Sequence, residues 1–276
     1  MSGKIAHLTF PKCGSQWVRD VMSDPELLRA ASARHFSPVG AYTLQDWEKE
    51  PQETCVGPIF TVGYEQWKAV AKKGEKALVV LRDPRDIVVS WAFSIAYSHF
   101  SDPDVRIVRP VLLSLDLRGK LYLSLYVFFS SAHIFRSWAN RKQTNSEYII
   151  RYEELIADQD AAFGKIFQFC GWELDPETIA GSLERHSFAH QSGRQAGTAN
   201  PFSHFRSGRS EDWKNYFDRS LGELFEQSLP GMLCEFGYES KNDWYAALPE
   251  TQATRETTFL EMVGKQLDDI IGTLQG

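Results

Sequence analysis

Cysteine is scarce in this 276-residue chain: four are present, at 13, 55, 170 and 234, and no two form a CxxC pair. That excludes a dense disulfide framework, gives no zinc-ligand spacing, and points to a reducing compartment, the cytoplasm. Basic charge is short as well. With a formal net charge of −6, the chain exerts no overall pull on nucleic acid, so any anion site has to be a local cluster of cations and backbone amides. No apolar run reaches the roughly 20 residues of a membrane helix. The longest, LYLSLYVFFSSAHIF at 121–135, carries Ser and His and reads as a buried helix. The N-terminus MSGKIAHLTFPK lacks the apolar stretch of a signal peptide and runs straight into a strand pattern. The order GxxxxGK[ST] of a nucleoside-triphosphate loop is absent, and so are internal repeats.

What is present is enough apolar sequence, 43%, to bury a large core. Strand patterns at 4–10, 76–81 (KALVVL) and 147–155 (EYIIRYEEL) are each followed by a helical pattern. The expectation is an α/β fold with a central parallel sheet flanked by helices on both faces. After 76–81, Asp83 is placed as N-cap, Pro84 as the first helical residue and Asp86 as capping-box partner. A long helix is expected over 118–141, with 121, 125, 128, 129, 132 and 135 on its core face. Residues 1–240 read as one domain, 241–256 as a polar linker and 257–276 as an amphipathic helix. The apolar stripe of that last helix (Leu260, Val263, Leu267, Ile270, Leu274) suits docking on its own subunit or a subunit contact.

Three stretches carry chemistry. The first is FPKCGSQW at 10–17, a strand-to-helix turn. In such a turn Gly14 lets the backbone approach an anion, Ser15 adds a donor and Lys12 adds a mobile charge. As a bare pattern it is also an ordinary turn with a surface Lys. The second, LRDPRDIVVSW, puts Arg82 at a strand end and Ser90 two turns into the next helix. Arg82 can clamp a phosphate or pair with Asp83 or Asp86, and Ser90 can bond a ligand or its own helix. The third, HFRSGRSEDWKNYF at 204–217, crowds cations, hydroxyls and aromatics into a loop that opens a helix near Asp212; alone, it could be a solvated turn.

In this order the three stretches resemble the sulfotransferases that use 3′-phosphoadenosine 5′-phosphosulfate (PAPS), over residues 5 to about 238. Those enzymes begin with a loop like YPKSGTTW, continue with an element like RNPKDVAVSYYHF, and carry a late RKGxxGDWKNxF. The resemblance implies a P-loop-like phosphosulfate-binding loop in which Lys12 meets the bridging oxygen and sulfate, Gly14, Ser15 and Gln16 hold the 5′-phosphate, and Cys13 between them counts as a cofactor contact. Trp17 falls where the family stacks a Trp on adenine, Arg82 and Ser90 on the pair that grips the 3′-phosphate, and Arg206, Ser207 and Gly208 on the late closing element. Tyr152 matches a Tyr near the adenine edge and Phe188 an aromatic stacked on the base, although Phe188 equally suits a core.

Four positions depart from the family pattern: Cys13 replaces a Ser, Gln16 a Thr, Ser207 a Lys and His186 a Thr beside the adenine. Many members also carry a base in a KTHLP-like strand, whereas FTVGYEQW at 60–67 has no His. His35 in ARHFSPVG is the first candidate for the base, because the segment after the first helix lines the acceptor site in several branches of the family. His99 in YSHF or a carboxylate comes next. The family dimer signature KxxxTVxxxE is matched only in part by KNYFDRSLGE, which has Asp218 and Arg219 between, so a homodimer is left open. The resemblance implies sulfuryl transfer from PAPS to a hydroxyl, less readily an amine, of a small apolar or aromatic acceptor. The spent cofactor would be PAP, and no metal or nucleic acid would take part. Two rival readings are an ATP-dependent small-molecule kinase and a nucleotide-binding protein without catalysis.

Overall fold

The computed structural model of the chain describes residues 3–39, 42–97, 103–195, 197, 198, 200, 203 and 206–251. Its five strands are β1 Ile5–Thr9, β2 Arg34–Phe36, β3 Thr54–Phe60, β4 Lys76–Leu81 and β5 Glu147–Arg151. They form one parallel sheet in the order β2-β3-β1-β4-β5. In β1, IAHLT, every residue is buried, and β4 is buried from its second residue on. Neighbouring strand residues point to opposite faces, so unbroken burial means that helices cover both sides of the sheet. The parallel order sets the C-terminal ends of β1, β3, β4 and β5 along one edge, and all the loops discussed below leave from that edge.

The helices after β1 and β4 run Ser15–Met22 and Pro84–Tyr97, and after β5 the helix Gln159–Cys170 stops at Gly171. Strand β5 is shorter than its pattern suggested, because Tyr152–Ala157 is already helical. The Glu154 carboxylate accepts the Arg151 N–H at 3.1 Å, and this closes a helical first turn on what the sequence shows as a strand end. Asp83 does act as a cap, accepting the Arg85 N–H at 2.9 Å. Asp86 is not its reciprocal partner, since the Asp83 N–H donates instead to Glu153 at 3.0 Å. The Asp86 carboxylate turns to the late loop and accepts the N–H groups of Glu211 and Trp213, both at 2.9 Å.

The long helix is Leu117–Arg136, started by Asp116, which accepts the Gly119 N–H at 2.7 Å. Leu121, Leu125, Phe128, Ala132 and Phe135 face the core, but Phe129 is 50% exposed. The polar composition of 241–256 suggested a linker, yet its described part, to Thr251, packs on the domain. Trp244 is 9% exposed, edge-on to Trp213 with centroids 5.8 Å apart. The Arg219 N–H donates to the Pro249 carbonyl at 2.8 Å. Composition hid this because two aromatics, Trp244 and Tyr245, were outnumbered by polar neighbours. Residues 257–276, and with them the expected amphipathic helix, lie outside the described residues.

His7, in the middle of β1, is fully buried, and neither ring nitrogen has a hydrogen-bond partner. Burial, with His35 and Arg19 nearby, pulls its pKa down to about 3. A depressed folded pKa means that the unfolded state binds the proton first, so stability holds above pH 6.5 and falls as acid approaches the folded pKa. From His7 alone, stability is expected to drop by about 2–3 kcal/mol between pH 7.5 and 4.5. Urea unfolding of the wild type and of His7→Leu at both pH values checks this. The variant should lose that much less on acidification, and equal losses would show that His7 does not titrate on unfolding.

Candidate active site

The turn from β1 into the first helix is tight: the Cys13 N–H donates back to the Phe10 carbonyl at 3.2 Å, with Lys12 at φ 71° and Gly14 at φ 80°. Gly14 is required twice over. Its φ is left-handed, and a Cβ there would sit 2.6 Å from the Tyr152 ring. The following helix presents its free N–H groups to the same space. The Cys13 side chain points the other way, fully buried in the core, where burial raises its pKa. Cys13 is therefore the one expected cofactor contact whose side chain does not reach the site.

Every other expected cofactor residue lines a single cleft of about 500 Å³ along the C-terminal edge of the sheet. Lys12 and Ser15, with Gln16 and Trp17 beyond them, come from the β1 loop, Arg82 and Ser90 from the β4 element, and Tyr152 from the end of β5. The late loop adds Arg206, Ser207 and Gly208, with Phe188 against it. A Cβ on Gly208, at φ 61°, would lie 2.7 Å from the Phe188 ring, so this aromatic and this loop close on each other only through glycine. Trp17 is held edge-on by Phe163, centroids 5.4 Å apart, and its buried indole N–H has no partner.

Three cations converge in the cleft, although the chain as a whole is acidic. Arg82 is 7% exposed; it donates to the Lys12 carbonyl and to the Arg209 carbonyl, both at 3.0 Å, and pairs with Asp86 at 3.4 Å. Its guanidinium lies over the Tyr152 ring at 4.3 Å, and its Nε is buried without a partner. Arg206 is ion-paired with Asp212 and sits over Phe93 at 4.8 Å; its Nε is also unpartnered. The Lys12 ammonium donates to the Ser94 hydroxyl at 2.9 Å. Burial first, then Arg82 and Arg206, pull the Lys12 pKa down to about 7. An anion between these groups would reverse that shift, so the donor set fits a phosphate or sulfate.

His35 is not brought to the cleft. On edge strand β2 it pairs with Cys55, which is level with Ile5 at the start of β1, whereas the loop leaves after Thr9, level with Phe60. Four strand residues, about 13 Å, separate the two levels. Burial holds its pKa at about 4, with Arg19 next to it pulling the same way. His99 lies outside the described residues. Among the described residues lining the cleft there is no carboxylate, and the one His is His186, whose Nε2 is 3.0 Å from Asp24 Oδ2. Sequence reading missed Phe60, Trp91, Ser94 and Ile95, which line the cleft beyond Lys12 and Ser90. Helical spacing from Ser90 would have reached Ser94, one turn on; nothing local marks Phe60.

The comparisons with known proteins agree with this geometry. A family model described as "Sulfotransferase domain" matches residues 64–230, more than half of the chain. The chain is 26% identical to a guinea-pig (Cavia porcellus) 3-alpha-hydroxysteroid sulfotransferase over 242 residues, 80% of each protein. It is 25% identical to chimpanzee (Pan troglodytes) sulfotransferase 6B1, covering 82% of this chain and 76% of that one. In fold it resembles the mouse sulfotransferase SULT7A1, solved in complex with PAP, with a TM-score of 0.62 at 20% identity, over 86% of this chain and 88% of that one. The loop at 10–17 precedes the matched span. By this match the chain belongs to the PAPS-dependent sulfotransferase family.

Proposed function

We propose that this enzyme moves the sulfuryl group of PAPS to the hydroxyl of a small apolar acceptor, with the phosphosulfate held by the β1 loop. The observation that carries the reading is the meeting, in one cleft, of Lys12, Arg82 and Arg206 with the N-terminus of the first helix. Arg82 and Ser90 would hold the 3′-phosphate, Gly14 to Gln16 the 5′-phosphate, and Lys12 the bridging oxygen on which charge grows as the bond to sulfur breaks. Chemistry of this kind rests on positioning and on charge placed in advance rather than on covalent help. The aromatics Trp17, Tyr152 and Phe188 would enclose the adenine.

For the acceptor, the support is the apolar wall beyond Lys12, formed by Pro11, Phe60, Trp91 and Ile95. The guinea-pig relative is named for a hydroxysteroid, which is an acceptor of that character. Four free cysteines, three of them buried, support a cytoplasmic setting, and no helix among the described residues is long and apolar enough to cross a membrane. A non-catalytic nucleotide binder is the second reading, because no candidate base lines the acceptor end among the described residues.

Incubation with ³⁵S-labelled PAPS and a panel of phenols, steroid alcohols and amines tests the proposal. Transfer to a hydroxyl, unchanged by a chelator, is expected. PAP binding without turnover would favour the second reading, and loss of turnover with a chelator that magnesium restores would refute a metal-free reaction.

Lys12→Ala is expected to lower kcat by about 10² to 10³, the effect of losing one donor to developing charge, with a much smaller loss of PAP affinity. Saturation kinetics and calorimetry measure the two separately. If the variant bound no PAP and kept its kcat, Lys12 would not be at the reacting end.

His35→Ala should leave kcat within about threefold of wild type, where loss of a general base would lower it by roughly 10² or more. A fall of that size in a variant that still folds would return His35 to the reaction.

A further inference from the structure

Ser94 belongs to neither phosphate site assigned above, yet it is 5% exposed, lines the cleft and accepts the hydrogen bond of the Lys12 ammonium at 2.9 Å. It stands one helical turn beyond Ser90 on the same face of Pro84–Tyr97, between Trp91 and Ile95 of the apolar wall. Residues four apart on a helix are neighbours at about 5–6 Å. Both hydroxyls line the cleft, and the Lys12 ammonium sits at that of Ser94. The sulfotransferase element written above as RNPKDVAVSYYHF ends in Phe where this chain has Ser94, so the hydroxyl is this chain's own feature rather than part of the motif.

We propose that Ser94 is a positioning residue for the transfer step: its hydroxyl holds the Lys12 ammonium at the acceptor end of the cleft and directs its remaining N–H groups at the sulfuryl group. The inference rests on the PAPS reading of the cleft. The electrostatics explain why a neutral acceptor serves here. Arg82 and Arg206 push the ammonium away from the phosphate end, and Lys12 is buried, so it needs an acceptor on the far side to stay charged. A carboxylate at 94 would supply one but would neutralise the charge that the substrate anion needs. A hydroxyl accepts a hydrogen bond from one of the three ammonium N–H groups and leaves the net charge in place. Trp91 and Ile95 keep this end of the cleft apolar, which strengthens the contact.

The test uses Ser94→Ala and Ser94→Thr in the full chain, with labelled PAPS, the acceptor of highest turnover in the panel above, and turnover measured from pH 6 to 9 alongside PAP affinity. Ser94→Ala should lower kcat by about 10-fold to 10²-fold, the range for one hydrogen bond to a charged group, with KM for PAPS within about twofold. An ammonium without its acceptor gives up its proton sooner, so the fall in kcat on the basic side should begin at lower pH, by about one unit. Ser94→Thr, which keeps the hydroxyl, should restore both. A wild-type kcat in Ser94→Ala would overturn the proposal. So would a loss that Thr does not restore together with an unshifted pH profile, since that pattern belongs to packing. A wild-type protein that neither binds PAP nor uses PAPS would overturn the functional reading and this proposal with it, whereas wild-type turnover that Ser94→Ala leaves unchanged would overturn this proposal alone.

Discussion

The pairing of Arg82 with Asp86 is the contact on which the cleft depends. Both side chains are buried, and burial pushes the Asp86 carboxyl up to about 6 even with the guanidinium beside it. A buried pair of this kind is weak evidence for stability, because desolvation consumes much of the attraction. Here it organises three segments distant in sequence. Arg82 holds the carbonyls of Lys12 and Arg209, and Asp86 holds the N–H groups of Glu211 and Trp213. The β1 loop and the late loop are thus tied to the end of β4 through backbone groups, so their side chains can vary while their positions stay.

That arrangement explains how an acidic protein builds a cationic cleft. Two of the three cations are paired on their outer sides, Arg82 with Asp86 and Arg206 with Asp212, and each still has a buried Nε without a partner. Aromatic faces, Tyr152 under Arg82 and Phe93 under Arg206, occupy the space that water would otherwise take. Among the described residues Lys12 is the one of the three without an ion pair to a carboxylate, and burial with two cations nearby pulls its pKa down to about 7. On the proposed reading, the site keeps fixed charge for the phosphates and an adjustable charge where bonds change.

Much of this was legible in the sequence because the relevant signals are local. A strand followed by PKCGS, a strand followed by RDP and a loop ending in DWKN each mark a place where backbone geometry and anion chemistry coincide. What escaped was set by tertiary contact. Asp86 has the spacing of a capping partner, but a loop more than a hundred residues away took its carboxylate. His35 is proposed from the resemblance, whose acceptor-lining segment follows the first helix, and only strand register shows that β2 lies level with the start of β1, at the end of the sheet away from the cleft loops. Ser94 needed the helix face and the reach of a lysine together, which no window on the sequence contains.

Trp244 gives the end of the described chain a part in the cleft. Its indole meets Trp213 edge-on, and Arg85 lies between the two rings, 3.7 Å over Trp213 and 4.8 Å over Trp244, while also pairing with Asp83 and Glu239. Trp213 in turn gives its N–H to Asp86. A keystone works in this way, fitted last and bearing on stones laid much earlier. The turn at Trp244–Ala247 braces the first turn of the helix after β4, so a chain shortened to residue 240, the boundary suggested by composition, would keep every group assigned above to the cofactor and lose the brace behind them.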